Sequence, residues 1–174
     1  MIEKWQQRYA SGDYCRHEAP DPLIVLAAEL LPAGHAIDLA CGAGRHALHL
    51  AAHGWHVTAI DGASAALTLF DAPNIKKLCL DLEHETPSLA ADLIVDTMYL
   101  DRRLFRLMRD QAQAVALVLP THDEDPGVKP MNPAFLIGED ELAAAFKDFT
   151  ILRHAIRKQP GHRRLIEFLA TRSR

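Results

Sequence analysis

The sequence has few cysteines and no long apolar run. Its three cysteines, Cys15, Cys41 and Cys79, form no closely spaced pair, which argues against a disulfide framework and a CxxC metal site. No apolar run approaches the ~20 residues that span a bilayer, and the best candidate, residues 23–31, contains Glu29. The first residues lack the apolar core and cleavage site of a secretory signal. We therefore expect a cytoplasmic protein that spans no membrane.

The sequence also lacks an excess of positive charge. A net charge of −4 gives no signature of nucleic-acid binding. The charge is uneven, because residues 151–174 hold seven Lys and Arg against Glu167 and carry +6, whereas the rest carries −10. Such a basic face can attract an anionic substrate or RNA, but charge blocks are more often a solvated surface, and that interpretation is favoured here.

What is present is the composition of one globular domain. The 174 residues suit a single core, and 49% hydrophobic content with 24% charged content argues against disorder. We expect one domain over residues 1–174, with an N-terminal helical cap over 1–33 and an α/β core over 35–174. Strand-like runs alternate with helical runs, which predicts an α/β fold with a mostly parallel sheet and helices on both faces.

The predicted elements are five strand–helix units followed by a terminal hairpin. Predicted strands cover residues 35–40, 55–60, 75–80, 92–99, 114–119, 149–157 and 163–171. Predicted helices cover residues 2–9, 21–31, 45–53, 64–69, 102–113 and 139–147. The last two strands should be antiparallel neighbours. Residues 120–137 form a long polar loop, and loops of this length in a compact domain are usually functional or mobile.

A glycine loop follows the first predicted strand. Asp38 stands four residues before Gly42, and Gly44 comes directly before the next helix. Glycines let the backbone approach a ligand where a side chain would collide. The helix directs free N–H groups and its positive end at a negative group, while Asp38 can bind a cationic ammonium. S-adenosylmethionine carries both a carboxylate and an ammonium at its methionine end.

Two further acids end the next two predicted strands. Asp61, 17 residues past Gly44, can accept both hydroxyls of a ribose. Asp81 can accept from an adenine amino group while Leu80 or Leu82 packs on the ring. Ligands of open α/β sheets bind outside the carboxyl ends of the strands, so these acids are expected to converge on one crevice.

The glycines alone are compatible with a dinucleotide site. Gly42-x-Gly44-x-x-Ala47 also fits the NAD fingerprint, which tolerates alanine at its last position. Two features favour S-adenosylmethionine instead: Asp38 stands where NAD loops face pyrophosphate, and the terminal hairpin is foreign to a dinucleotide-binding half.

With these residues the sequence resembles class I S-adenosylmethionine-dependent methyltransferases, and within them the small bacterial tellurite-resistance methyltransferase-like group. The stretches that carry the resemblance are residues 5–9, 37–47, 57–61, 99–103 and 132–142. It covers most of the chain and implies a Rossmann-like, seven-stranded sheet with a reversed last strand. The cofactor-binding residues that it implies are Tyr9, Asp38, Ala40, Gly42, Gly44, Asp61, Gly62, Asp81, Leu82, Thr97 and Tyr99.

The sequence departs from the family pattern in three places. Ala40 replaces the usual first glycine of the loop. The usual Pro-Gly-Gly turn before the fifth strand is missing, and residues 110–113 stand there instead. The segment between the second and third strands is short. The last two departures affect the rim of the acceptor pocket.

The expected activity is methyl transfer to a small-molecule acceptor by in-line displacement. The protein would mainly supply alignment and a dry site, and a soft acceptor needs little help from a base. An oxygen or nitrogen acceptor needs a general base, for which Asp96, Tyr99, His122 and His17 are candidates with no motif that singles one out. The expected protein is a monomer or a homodimer.

Two other functions stay open. An RNA or protein methyltransferase could use the basic C-terminal face, although no Asn-Pro-Pro-Tyr-like motif follows the fourth strand. A non-catalytic S-adenosylmethionine-binding module is compatible with the missing Pro-Gly-Gly turn. No metal is expected: His46, His49 and His53 share a helix face, but no carboxylate or cysteine stands at ligand spacing beside them.

Overall fold

The core of the protein is one seven-stranded sheet. The computed structural model describes residues 1–14 and 18–172. The strands are β1 (His35–Leu39), β2 (His56–Asp61), β3 (Ile75–Cys79), β4 (Leu93–Thr97), β5 (Ala114–Pro120), β6 (Thr150–Arg157) and β7 (Leu165–Thr171). Their order in the sheet is β3-β2-β1-β4-β5-β7-β6, and β7 runs antiparallel to both of its neighbours. The predicted mostly parallel sheet with a reversed last strand is confirmed.

The central strands are apolar on both faces because helices cover both faces. All seven residues of β5 are buried, as are the four residues Leu93–Asp96 of β4. Such continuous apolar runs are typical of parallel strands between two helical layers. The helices are α1 (Ile2–Ser11), α2 (Pro22–Leu30), α3 (Arg45–Ala52), α4 (Ser64–Leu67), α5 (Arg102–Gln111) and α6 (Glu141–Ala145).

Two hydrophobic clusters lie on opposite faces of the sheet. Helices α2 and α3 pack on one face through Ile24 and Leu50, and α5 and α6 pack on the other through Met108 and Phe146. Each of these four side chains is fully buried. Helix α1 stands apart from both layers and packs mainly on α4. This position leaves α1 beside the edge of the sheet where the parallel strands end.

The predicted alternation of strands and helices fails between β3 and β4. In the part of the chain that the structure describes, residues 80–92 form turns and extended backbone without a helix. Pro87 disfavours helix in the residue before it, and the segment is too polar to cover a sheet face as a helix does. The prediction of five strand–helix units is therefore wrong at this unit.

The long loop over residues 120–137 has a closed base. The N–H of Ile137 donates to the carbonyl of Pro120 at 2.9 Å, and the hydroxyl of Thr121 donates to the carbonyl of Ile137. A 3-10 turn, Pro133–Phe135, is capped by Asn132, which accepts from the N–H of Ala134. A long loop with adjoining ends and internal hydrogen bonds holds a defined path over the surface.

The basic C-terminal segment is partly engaged in internal ion pairs. Arg157 binds Asp21 at 2.7 Å and Glu167 at 2.9 Å, and Arg153 also binds Glu167 at 3.0 Å. Both carboxylates are 8% exposed. Arg157 therefore ties the start of α2 to the β6–β7 hairpin, an internal role that the solvated-surface interpretation did not include. Within the described residues, no helix is long and apolar enough to cross a bilayer.

Candidate functional site

A cleft of about 460 Å³ opens at the carboxyl ends of the parallel strands. Ala40, Asp61, Asp81, Thr97 and Pro120 line it, and they stand at the ends of β1, β2, β3, β4 and β5. The strand order reverses between β1 and β4, and open α/β sheets bind their ligands at such a switch point. The topology thus brings together five chain positions that are far apart in sequence.

Most of the predicted cofactor-binding residues line this cleft. Those on its wall are Tyr9, Ala40, Asp61, Gly62, Asp81, Leu82, Thr97 and Tyr99. The other three predicted residues, Asp38, Gly42 and Gly44, are buried and are not part of the cleft wall.

The glycine loop has left-handed backbone conformations at three alternate positions. Ala40 has φ of 50°, Gly42 of 54° and Gly44 of 78°. Left-handed backbone costs a non-glycine residue about 1–2 kcal/mol, so Ala40 is strained. A Cβ on Gly42 would lie 2.4 Å from the hydroxyl of Tyr9, and one on Gly44 would collide with the Phe70 ring at 2.4 Å.

Asp61 is held in place by the loop that it faces. Its Oδ2 accepts the N–H of Gly42 at 2.8 Å, and its Oδ1 accepts the N–H of Ala63 at 2.8 Å. Burial raises the pKa of this carboxyl, and the two hydrogen bonds offset part of the shift. Each oxygen keeps a free lone pair, so the carboxylate can still accept two hydroxyl donors from the cleft.

Asp38 is a buried carboxyl without a hydrogen-bond partner. It is 1% exposed, and neither oxygen has a donor in hydrogen-bonding geometry. Burial raises its pKa to about 7, and the nearby N–H of Ala47 offsets only part of this shift. A cationic group beside Asp38 would relieve this cost, because an opposite charge favours the ionised form.

Asp81 belongs to a polar group at the rim. It accepts from Nδ1 of His84 at 2.8 Å and from the N–H of Glu83 at 3.0 Å, and the bond from His84 is the main cause that lowers the pKa of Asp81. Across residues 1–14 and 18–172, Asp81, Glu83 and His84 are the one trio of metal-ligand type, within 4.8 Å of one another. Exposed acidic groups of this kind are common without a metal.

The histidines on α3 do not converge on a shared ligand position. His46 is 2% exposed, and burial is the main cause that lowers its pKa to about 3, so it stays neutral. Its Nδ1 lies 3.4 Å from the hydroxyl of Thr97. His49 and His53, the residue directly after α3, lie with ring centroids 4.2 Å apart and ring planes tilted by 37°.

An aromatic group from the N-terminal segment covers one side of the cleft. The ring centroids of Tyr9 and Trp5 are 6.1 Å apart, and those of Tyr9 and Tyr14 are 5.0 Å apart. Gln6 accepts the N–H of Ala65 at 3.0 Å, which fastens α1 to α4. Tyr14, beyond the end of α1, was missed by sequence reasoning, since no periodic pattern extends to it.

Beyond the ends of β4 and β5 the cleft has an apolar wall. Its residues are Met98, Leu100, Pro120, Met131 and Phe135, and we call this wall the acceptor end. Met98 has a positive φ of 66° and is 51% exposed. Sequence reasoning missed both Met131 and Phe135, although it marked their loop as functional or mobile.

The four candidate bases are scattered. Asp96 is 1% exposed, does not line the cleft, and burial raises its pKa well above the usual range. Tyr99 lines the cleft, but burial raises the pKa of its hydroxyl, which keeps its proton. His122 is exposed and is not part of the cleft wall. His17 lies outside the described residues.

Known proteins share this fold. The family model of tellurite resistance protein TehB matches residues 9–157. TehB from Haemophilus influenzae superposes with a TM-score of 0.76 at 22% identity over 97% of this chain and 67% of that chain. The N-methyltransferase NodS from Bradyrhizobium japonicum, solved with S-adenosyl-L-homocysteine, has a TM-score of 0.72 at 14% identity, with 99% and 98% coverage.

A third similar structure holds both of its ligands. It is the Burkholderia thailandensis 1,6-didemethyltoxoflavin-N1-methyltransferase with 1,6-didemethyltoxoflavin and S-adenosylhomocysteine, with a TM-score of 0.68 at 16% identity over 99% of this chain and 87% of that one. No curated protein matches the sequence significantly. The chain belongs to the TehB family, and its fold is that of class I S-adenosylmethionine-dependent methyltransferases.

Proposed function

We propose that the protein transfers the methyl group of S-adenosylmethionine to a small-molecule acceptor. The observation that carries this proposal is the carboxylate of Asp61, which two backbone N–H groups fix at the end of β2 with its free lone pairs available to a ribose. Similar folds have been solved with S-adenosylhomocysteine bound, which supports the choice of cofactor. The bound sulfonium would supply an electrophilic methyl group.

In this proposal, different residues bind different parts of the cofactor. Asp61 accepts the ribose hydroxyls, and Asp81 and Leu82 hold the adenine, since both line the cleft beside Asp61. The start of α3 faces the carboxylate of the methionine end, and Asp38 compensates its ammonium. The unpartnered oxygens of Asp38 and the positive φ values of Gly42 and Gly44 fit these roles.

The chain's own contribution to catalysis is alignment and exclusion of water. Trp5, Tyr9 and Tyr14 cover the cleft from one side, and the acceptor end closes the other. Holding a nucleophile in line with the reacting carbon accounts for much of the barrier reduction in such displacements. No residue is assigned as a general base, because the cleft-lining Tyr99 keeps its proton and Asp96 does not reach the cleft.

The test is calorimetric titration with S-adenosylhomocysteine, with NAD as the competing ligand. We expect binding of the first and none of the second. Asp61→Ala should weaken binding by about 1–3 kcal/mol through lost hydrogen bonds. The matched control is Asp148→Asn, an exposed carboxyl remote from the cleft, which should bind normally. Binding of NAD, or of neither ligand, contradicts the proposal, and binding without turnover of any acceptor supports the non-catalytic module instead.

A further inference from the structure

Residues 80–92, which the structure describes in full, join β3 to β4 without a helix. Near the start of this segment lie Asp81 and Leu82, to which the proposed function assigns the adenine. A segment without regular structure is held in one conformation by the bonds that its backbone makes to other elements. Those bonds therefore determine how well the two residues are placed for the base.

Helix α5 binds this segment at both ends. Near the start, the guanidinium of Arg103 donates to the carbonyl of Leu82 at 3.1 Å through Nη2 and to the carbonyl of Glu83 at 3.2 Å through Nη1. Near the end, the side-chain oxygen of Gln111 accepts the N–H of Leu89 at 2.7 Å. Arg103 lies in the first turn of α5 and Gln111 is its last residue, so one helix holds both ends of the segment.

The carboxylate of Asp101 orients the guanidinium of Arg103. It caps α5 by accepting the N–H of Arg103 at 2.9 Å, and it binds the guanidinium at two points, Nε to Oδ1 at 3.0 Å and Nη2 to Oδ2 at 2.6 Å. The Arg103 side chain is 65% exposed, but that of Asp101 is only 10% exposed. Because a two-point pair fixes the plane of a guanidinium, the remaining N–H groups are directed at the two carbonyls of the segment.

The preceding residue, Arg102, binds a different part of the protein. It pairs with Glu141 and donates to the carbonyls of Ala134 at 3.2 Å and Leu136 at 2.8 Å, in the loop after β5. Of these two neighbouring arginines, it is Arg103 that binds the loop after β3. A substitution of Arg103 therefore releases the adenine side of the cleft and leaves the bonds of Arg102 in place.

From these contacts, and resting on the proposed function, we infer that Arg103 is a positioning residue for the cofactor: held by Asp101, it fixes the backbone of residues 82 and 83 so that the loop after β3 recognises the adenine. Arg103 acts through this loop and makes no bond to the base itself. Since exposed ion pairs contribute little to stability, its substitution should change recognition of the base more than it changes folding.

The experiment compares two ligands that differ only in the base. S-adenosylhomocysteine carries adenine, and S-inosylhomocysteine, its deamination product, carries a carbonyl oxygen in place of the amino group. We expect the parent protein to bind the first at least tenfold more tightly in calorimetric titration, because the carboxylate of Asp81 accepts from an amino group and repels a carbonyl oxygen. Arg103→Met should lower this ratio at least fivefold, through weaker binding of S-adenosylhomocysteine.

A second variant tests the part played by Asp101. Asp101→Ser keeps a side chain that can cap α5 but removes the partner of the guanidinium, so the ratio should fall in the same direction. The double variant with Arg103→Met should lower the ratio no further than Arg103→Met alone, because Asp101 acts through Arg103. Additive losses overturn the inference, since Asp101 would then act on the base without Arg103.

Gln111→Ala is the matched control, because it removes the bond that holds the other end of the segment, away from the cleft wall. It should lower the stability in urea, since the N–H of Leu89 loses its acceptor, and leave the ratio unchanged. An unchanged ratio in Arg103→Met, or in Asp101→Ser if Arg103→Met does not fold, overturns the inference. An equal loss in Gln111→Ala, or a parent protein that binds both ligands equally, also overturns it. Failure of the parent to bind S-adenosylhomocysteine contradicts the proposed function instead, so the two failures are distinguishable.

Discussion

The carboxylate of Asp61 accepts the N–H of Gly42 at 2.8 Å across 19 residues of sequence. This bond joins the end of β2 to the glycine loop after β1. The same carboxylate accepts the N–H of Ala63 through its other oxygen, so one side chain orders two loops of the cleft. Asp61 is therefore a structural residue as well as the proposed ribose ligand, and its two roles can be measured separately.

Asp61→Ala should lower the free energy of unfolding of the ligand-free protein by about 1–3 kcal/mol. The buried N–H of Gly42 loses its acceptor, and an unsatisfied buried donor carries this cost. Urea denaturation measures the change, and Asp148→Asn is the control. Unchanged stability with weakened cofactor binding would show that water replaces the carboxylate and that the hydrogen bonds do not order the loop.

Asp38→Asn should show how burial of this carboxyl destabilises the protein at neutral pH. Its folded-state pKa of about 7 lies above its ordinary value of 3.8. Below pH 4 the carboxyl of Asp38 is protonated in both the folded and the unfolded protein. As the pH rises to 7 the carboxyl ionises more readily in the unfolded protein, and the free energy of unfolding falls by a total of roughly 4 kcal/mol. The variant cannot ionise, so its stability relative to the parent should rise between pH 4 and pH 7 and stay constant above.

The measurement is urea denaturation of parent and variant at pH 5, 6, 7 and 8. The difference between the two proteins reports the titration of Asp38 together with its charge coupling to the buried carboxyls of Asp61 and Asp96. Asp148→Asn, an exposed carboxyl, should show no such trend. A difference between Asp38→Asn and the parent that is constant with pH would mean that Asp38 is ionised in the folded protein.

Gly44→Ala should destabilise the protein more than Gly12→Ala. Both glycines have nearly the same backbone, with φ of 78° and 79°. A Cβ on Gly12 meets nothing within 4 Å, whereas one on Gly44 would lie 2.4 Å from the Phe70 ring. We expect about 1 kcal/mol for Gly12→Ala from backbone strain and about 2–4 kcal/mol for Gly44→Ala from strain plus overpacking. Equal losses in thermal or urea denaturation would mean that Phe70 moves aside freely.

Arg157→Ala should cost about 2–4 kcal/mol of stability. The substitution leaves Asp21 without its ion-pair partner and Glu167 with Arg153 alone, and both carboxylates are 8% exposed. Arg106→Ala is the matched control, because the Arg106 side chain is 82% exposed beside Asp110 and surface pairs contribute about 0–1 kcal/mol. Urea denaturation of both variants tests this, and similar small losses would show that Arg157 is not needed between α2 and the hairpin.

The sequence was informative where neighbouring residues decide the structure. The alternation of apolar runs predicted the strands, and Asp38, Gly42 and Gly44 marked the loop because their residue types suit a close approach of backbone to ligand. It was uninformative where contacts between residues far apart in sequence determine the structure. The ion pair of Arg102 with Glu141 spans 39 residues, and that of Arg157 with Asp21 spans 136. The path that brings Phe135 to the cleft depends on the first of these, so local patterns could not reveal the acceptor end.

The pH dependence of turnover should follow the acceptor and not the protein. Asp96 does not reach the cleft, and Tyr99 keeps its proton, so neither is placed to deprotonate an acceptor there. With two neutral thiols of different acidity, the pH at which kcat/KM reaches half its maximum should differ by the difference between their thiol pKa values. His122→Ala should leave both profiles unchanged, because His122 is not part of the cleft wall. The same midpoint for both thiols would instead identify a titrating group of the protein as the base, and its value would indicate which type of residue to substitute next.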